Sequence, residues 1–247
     1  KALGNYRYPI DVHWDRLPFH RDTRLEFDNG NQDLVARDGQ GTELYKISMN
    51  EIVRQQRFGF NANMSQARFV GHMLLINVGF YLAAYDTNVI EAGRPRQLWR
   101  FDVTNALGED LNNIRYRQIR QPNGRFRMIP MDAQNRPLCN IALASRDLVC
   151  LVRGTKLFAL DSRTGEIVWI RHDVRASGEI TGDERVISVF SEQNNEVVTY
   201  SAIDGREIAN FKVPPEGQRI AIQGTRLLTS ETINAKQTLK LIDLATG

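Results

Sequence analysis

Leu157-Phe158-Ala159-Leu160-Asp161-Ser162-Arg163-Thr164-Gly165-Glu166-Ile167-Val168-Trp169 is the stretch on which the fold turns. Leu157, Ala159 and Asp161 alternate with Phe158 and Leu160, the period of a strand with side chains on both faces. The Asp161 carboxylate can accept hydrogen bonds from the N–H groups of the turn that follows, and Thr164 can help. Gly165 supplies a positive φ without a Cβ penalty. Ile167 and Trp169 open the returning strand, and an indole is large enough to fill the wedge between two neighbouring sheets. The segment is a hairpin with its own anchor.

It recurs. Tyr200-Ser-Ala-Ile-Asp204-Gly205-Arg-Glu-Ile208 follows, then Leu239-Lys-Leu-Ile-Asp243-Leu-Ala-Thr246-Gly247. The turn glycines Gly165, Gly205 and Gly247 lie 40 and 42 residues apart, the length of one four-stranded propeller blade. Looser copies precede them. Leu34-Val-Ala36-Arg-Asp38-Gly-Gln-Gly41-Thr-Glu-Leu-Tyr45 has the alternation, the turn and the aromatic. Leu82-Ala-Ala84-Tyr-Asp86 runs through Gly93 and Pro95 to Leu98-Trp99-Arg100.

Upstream of each later hairpin lies another strand pair: Leu138–Ala144 with Leu148–Val152, Gly178–Thr181 with Arg185–Phe190, and Arg219–Gln223 with Arg226–Ser230. Ser145-Arg-Asp147, Gly182-Asp183-Glu184 and Gly224-Thr225 are the turns between them. Strand pairs at this spacing predict an all-β meander and exclude an α/β arrangement. Asn50–Gln56 is the one stretch that reads as a short helix.

In these residues the chain resembles the PQQ-like (quinoprotein-type) β-propeller repeat family, whose blades end in Ala-x-Asp-x-x-Thr-Gly-x-x-x-Trp. The motif is complete at Ala159, Asp161, Thr164, Gly165 and Trp169. It is partial at Asp204/Gly205 and at Asp243/Thr246/Gly247, and degenerate at Asp38 and Asp86. Val70-Gly-His72-Met-Leu-Leu-Ile76 is similar to segments of large multi-domain bacterial proteins of that kind. Five hairpins in this length make about four to five antiparallel blades in residues 1–247, with 1–29 as an N-terminal lead-in and 104–137 as an insertion between blades. That is fewer than the roughly six to eight of such a ring, and Gly247 sits on a turn whose return strand is not in the sequence. The expectation is part of a larger ring.

Composition fits a globular chain: 42% of the residues are hydrophobic. No apolar run approaches the roughly 18 residues of a membrane-spanning helix. Cys139 and Cys150 bracket one expected hairpin without standing opposite each other, which favours two buried free thiols over a disulfide.

The net charge is +3, but 26 of the 32 basic residues are arginine. Between Asp110 and Asp132 there is no acid, while Arg115, Arg117, Arg120, Arg125 and Arg127 are interleaved with Tyr116, Phe126 and Met128. Guanidinium forks suit phosphates and carboxylates, so this insertion is a candidate polyanion or partner surface. A solvated loop whose arginines pair with acids elsewhere is the simpler account. No nucleic-acid signature accompanies it.

A PQQ-dependent dehydrogenase, as the resemblance implies it, sandwiches the quinone between a Trp and a vicinal Cys–Cys disulfide beside a calcium. This chain has no Cys-Cys pair, and Trp99 and Trp169 serve as blade anchors, leaving Trp14. No cofactor is therefore expected, with PQQ and calcium the group to test. Asp161, Asp204 and Asp243 hold turn positions and make poor general bases. His13, His20, His72 and His172 lack the paired spacing of a zinc site. His72, in an apolar strand, reads as a core histidine. Asp28-Asn-Gly-Asn-Gln-Asp33 resembles a calcium loop, but its twelfth position is Gly39. A hairpin turn explains it better. Phosphate loops and serine elbows are absent from the sequence.

Three functions follow. The first is a non-catalytic scaffold presenting loops to a protein partner or to the rest of its own polypeptide, in a cell-envelope or periplasmic setting by resemblance. The second is a degenerate or incomplete PQQ-dependent oxidoreductase. The third is a polyanion- or polysaccharide-binding module.

Overall fold

The structure, a computed structural model, describes residues 23–28, 31, 33–52, 65–78, 80–107, 115–120, 126–131, 140–153, 155–174, 180–191, 195–215, 218–233 and 236–247. These residues form antiparallel sheets whose strand order is their chain order. The first has β1 (Arg24–Asp28), β2 (Asp33–Arg37) and β3 (Glu43–Ser48), followed by the short helix α1 (Met49–Ile52). The second has β4 (Ser65–Val70), β5 (Met73–Val78), β6 (Tyr81–Glu91) and β7 (Arg94–Asp102), followed by α2 (Val103–Leu107). A two-stranded hairpin comes next, β8 (Arg115–Arg120) with β9 (Phe126–Met131).

Two four-stranded sheets follow. One is β10 (Asn140–Ala144), β11 (Leu148–Arg153), β12 (Lys156–Asp161) and β13 (Ile167–Arg171). The other is β14 (Ile180–Gly182), β15 (Val186–Ser191), β16 (Glu196–Ser201) and β17 (Glu207–Lys212). The last sheet is β18 (Arg219–Gln223), β19 (Arg226–Ile233) and β20 (Lys236–Asp243).

The sequence dictates this layering. The second strands β5 and β15 are buried along their whole length, the mark of a sheet covered on both faces, so they read as mostly apolar runs, broken by Asn77, Ser188 and Ser191. The fourth strand β17 is largely exposed and carries Glu207, Asn210 and Lys212. At the junction of third and fourth strands the register slips at the same place in each sheet where both are described, and the β6–β7 ladder slips a second time between Asp86 and Ile90. Ala36/Arg37, Ala84/Tyr85, Ala159/Leu160 and Thr199/Tyr200 mark the shared slip. This β-bulge adds local twist.

By contact density the described chain divides into two compact units. One gathers Asn140–Ser162 and Glu166–Gly247; the other holds the described residues through Met131 together with Arg163–Gly165. In the earlier unit, Leu34, Ala36, Tyr45 and Ile47 of the first sheet pack on Leu74, Ile76, Ala83 and Tyr85 of the second. In the later unit, Cys150, Leu157 and Ala159 pack on Ile187, Val189 and Tyr200, and Phe190 and Val197 pack on Ile222, Leu227 and Leu244. There the first strands β10, β14 and β18 are successive neighbours, as blades fanned about a shared centre require. The fold is a β-propeller, with five blade-like sheets of three or four strands.

Several expectations need correction. Residues 1–29 are not only a lead-in, since β1 lies within them and pairs with β2. The 104–137 insertion is not simply a loop: β8 and β9 pair in it, because Tyr116, Ile119, Phe126 and Ile129 favour strands. The helix expected over Asn50–Gln56 is described only as Met49–Ile52, and α2 was not foreseen. His72 is no core residue; its side chain is 56% exposed, in the turn between β4 and β5. His13, His20 and Trp14 lie outside the described residues, as do Arg125 and Cys139.

Candidate functional site

Each junction between successive sheets of the later unit is built from the repeated motif. Gly205 and Gly247 have φ of 70° and 93° there, and Gly165, which clusters with the earlier unit, has 72°. Gly205 is also needed for space: a Cβ there would come within 2.6 Å of the Trp169 indole. That indole, half-buried rather than fully enclosed, donates its N–H to the Ala202 carbonyl at 2.9 Å. Beside it the Arg171 guanidinium lies 5.0 Å from the Tyr200 ring centre and donates to the Gly205 carbonyl at 3.0 Å. Asp173 accepts from Arg171 at 2.6 and 2.9 Å, and that bond holds its carboxyl below the usual range.

The next junction repeats the plan with other residues. Arg219 lies 4.8 Å over the Phe190 ring. The Thr199 hydroxyl bonds the Leu244 carbonyl at 2.5 Å, and Thr181 bonds the Gly224 carbonyl at 2.8 Å. Ala159 stands opposite Trp169 in the β12–β13 ladder, and Thr164 is exposed in the turn.

The acidic corner differs from the sequence expectation at one blade. Counting from the ladder, Asp161, Ser201 and Asp243 are equivalent, each closing its third strand opposite Leu148, Val186 and Arg226. Ser201 therefore holds the position expected for Asp204. Asp204 sits three residues further on, exposed, with its carboxyl lowered chiefly by a hydrogen bond from Ser201. In the earlier unit, Asp38 accepts the N–H groups of Gln40 and Thr42 at 2.9 and 2.8 Å. Asp86 accepts from Arg96 at 3.0 Å, and His72 Nε2 stands 4.0 Å from it.

The arginine segment becomes an ordered pair. Arg115, Arg117 and Ile119 stand opposite Met131, Ile129 and Arg127, while Arg120 stands opposite Phe126. Three of the expected arginines thus share one alternating set of register positions, and Arg120 falls in the other.

Sequence reasoning missed the residue ejected by each bulge. The slipped register leaves Leu44, Leu98, Val168 and Ile208 without a cross-strand partner, always just before the position of the aromatic anchor. All four are aliphatic. Leu44, Val168 and Ile208 are 41%, 50% and 46% exposed. The signal was available as an aliphatic residue preceding Tyr45, Trp99, Trp169 and Ala209.

Among the described residues, no three His, Cys, Asp or Glu side chains converge. The sequence has no two adjacent cysteines. Cys150 is a buried free thiol whose pKa burial pushes up to about 12. No helix among the described residues is long and apolar enough to cross a membrane.

These features define an all-β fold of the β-propeller kind. No family model matches the sequence, and no curated protein does. Solved structures are similar in fold. BamB from Moraxella catarrhalis is 11% identical, with a TM-score of 0.37 over 90% of this chain and 73% of that one. The quinohemoprotein alcohol dehydrogenase ADHIIG from Pseudomonas putida is 10% identical, with a TM-score of 0.44 over 90% of this chain. This chain spans 37% of that enzyme's length. Sqt1 from Chaetomium thermophilum, solved bound to the N-terminus of a ribosomal protein, is 9% identical, with a TM-score of 0.46 over 84% of this chain and 52% of that one.

Proposed function

We propose that this chain is a non-catalytic propeller scaffold that offers its outer strands and loops to a protein partner. The observation behind this reading is the bulge residue. Four sheets each eject an aliphatic side chain at the same step, and Leu44, Val168 and Ile208 are left in solvent. Being about half exposed, each forgoes roughly half of the 1.5–3 kcal/mol that full burial of such a side chain contributes. A bulge needs no aliphatic residue for its own geometry, so the recurrence supports a surface that is covered in use. The cell-envelope setting of that partner rests on the family resemblance.

The test replaces Leu44, Val168 and Ile208 together by Lys. Folding should survive, since these side chains are exposed, while co-purification of proteins from the source cells should be lost. Retention of every partner by the triple variant, or stoichiometric uptake of PQQ with calcium, would overturn the reading.

A polyanion-binding role has one observation in its favour, the shared register set of Arg115, Arg117 and Arg127. Heparin retention should fall when these three become Ser if that role is real.

A further inference from the structure

The later unit repeats one interface twice and then leaves it open. Ladder register makes the sheets superimposable residue by residue. Cys150↔Ala159 corresponds to Ser188↔Thr199 and to Leu228↔Leu241; Val152↔Leu157 corresponds to Phe190↔Val197 and to Ser230↔Leu239. In the first sheet of the unit, Cys150, Leu157 and Ala159 are fully buried, packed against Ile187, Val189 and Tyr200 of the next. In the second, Ser188, Phe190, Val197 and Thr199 are fully buried. Phe190 and Val197 pack there on Ile222, Leu227 and Leu244. In the third the corresponding Leu239 and Leu241 are 62% and 61% exposed. In the series Leu157/Val197/Leu239 and Ala159/Thr199/Leu241, Leu239 matches the largest member of its series and Leu241 is the largest of its own, yet these two carry the least cover.

We infer that this face of β18–β19–β20 is a docking surface for one further blade-type antiparallel sheet, from outside residues 1–247, presenting aliphatic side chains on its second and third strands. The surface continues an interface already formed twice in the same unit, with the same register and handed on from sheet to sheet. The covering chemistry is therefore on view at the other two junctions: Ile187 and Val189 meet the first sheet, and Leu227 and Leu244 meet the second.

A second copy of this chain is a poorer occupant. In the first sheet of the earlier unit, the strand positions alternate with those packed on the second sheet. These alternate positions carry an ion-paired set, with Glu26 bonded by Arg24 and Arg37 at 3.1 and 3.2 Å and Arg37 3.9 Å from Glu43. Its one aliphatic member, Val35, is already buried, so the set has no aliphatic row to place against Leu239 and Leu241. The inference does not depend on the scaffold reading, which concerns the outer strands.

The test appends residues to the full chain and probes the face with Leu241→Cys. One extension repeats residues 206–215, a return strand alone. The other repeats residues 206–247, a return strand and a further sheet. Maleimide labelling of Leu241→Cys, corrected for the parent protein's own thiols, should slow at least tenfold with the longer extension and little with the shorter. Leu239→Lys in the same protein should abolish the slowing. Labelling unaffected by the longer extension would overturn the inference. So would labelling that is already slow in the unextended protein and quickens on dilution, which would make a second copy the occupant. Neither result bears on partners captured through Leu44, Val168 and Ile208.

Discussion

Gly205 and Trp169 show how much of this fold rests on single atoms. Gly205→Ala introduces a Cβ at a φ of 70° and drives it to 2.6 Å from the indole. The backbone conformation costs about 1–2 kcal/mol, and the overlap adds about 1–3 kcal/mol. Trp169→Ala should cost about 2–4 kcal/mol, below the range for a wholly buried ring because the indole is only half-buried. In the Trp169→Ala background, Gly205→Ala should lose its steric part and cost only about 1–2 kcal/mol. Additive losses in urea titrations would contradict the contact. A smaller case is Tyr45, whose hydroxyl is buried with no hydrogen-bond partner. Tyr45→Phe should therefore stabilise the protein by about 1 kcal/mol, read as a higher unfolding midpoint. The positive φ of the turn glycines was legible from the sequence, since few other residues close such turns. The exchange of Asp204 for Ser201 was not. The acid nearest the glycine drew the eye, whereas the ladder counts from the end of the strand.

At the scale of the element, the acidic corner is a small cap for the turn it precedes. Asp38 satisfies two backbone N–H groups through one carboxylate oxygen. Asp38→Ala should cost about 1–2 kcal/mol, while Asp38→Asn, which keeps an acceptor oxygen in place, should cost about half as much or less. Equal losses for Ala and Asn would mean that charge, not acceptance, holds the turn. The hairpins were readable because turn chemistry and strand period agree in them: Ser145–Asp147 and Gly224–Thr225 link the strand pairs that the sequence delimits. β1 and the β8–β9 hairpin were harder to see. β1 carries Arg24, Glu26 and Asp28, so charge masks its period, and in β8 Arg115, Arg117 and Arg120 do the same. Their pairing is decided by the partner strand across the ladder, which no local window contains. The bulges escaped for the opposite reason: Val168-Trp169 and Ile208-Ala209 look like ordinary strand, and only the slipped register shows which residue is expelled.

For the molecule as a whole, the two compact units each have their own core, and alkali should separate them. Cys150 lies in the core of the later unit, and burial raises its thiol from 9.0 to about 12. A raised pKa in the fold means that the unfolded chain gives up this proton first. The contribution is therefore intact below about pH 9 and is lost as pH climbs from 9 toward 12. The slope approaches 1.4 kcal/mol for each pH unit. Tyr45 lies in the core of the earlier unit and is also raised by burial, from 10.0, so its loss begins about one unit later. Urea titrations at pH 7, 9 and 10 should show the transition of the later unit weakening first. Cys150→Ala should flatten that pH dependence while lowering stability by a constant amount from the smaller side chain. Tyr45→Phe should instead move the transition of the earlier unit and leave the later one in place. An undiminished fall between pH 9 and 10 in Cys150→Ala would remove the thiol as its cause. One transition shifted alike by both substitutions would mean that the two cores melt as a single cooperative body, and the separation into units would then have no thermodynamic counterpart.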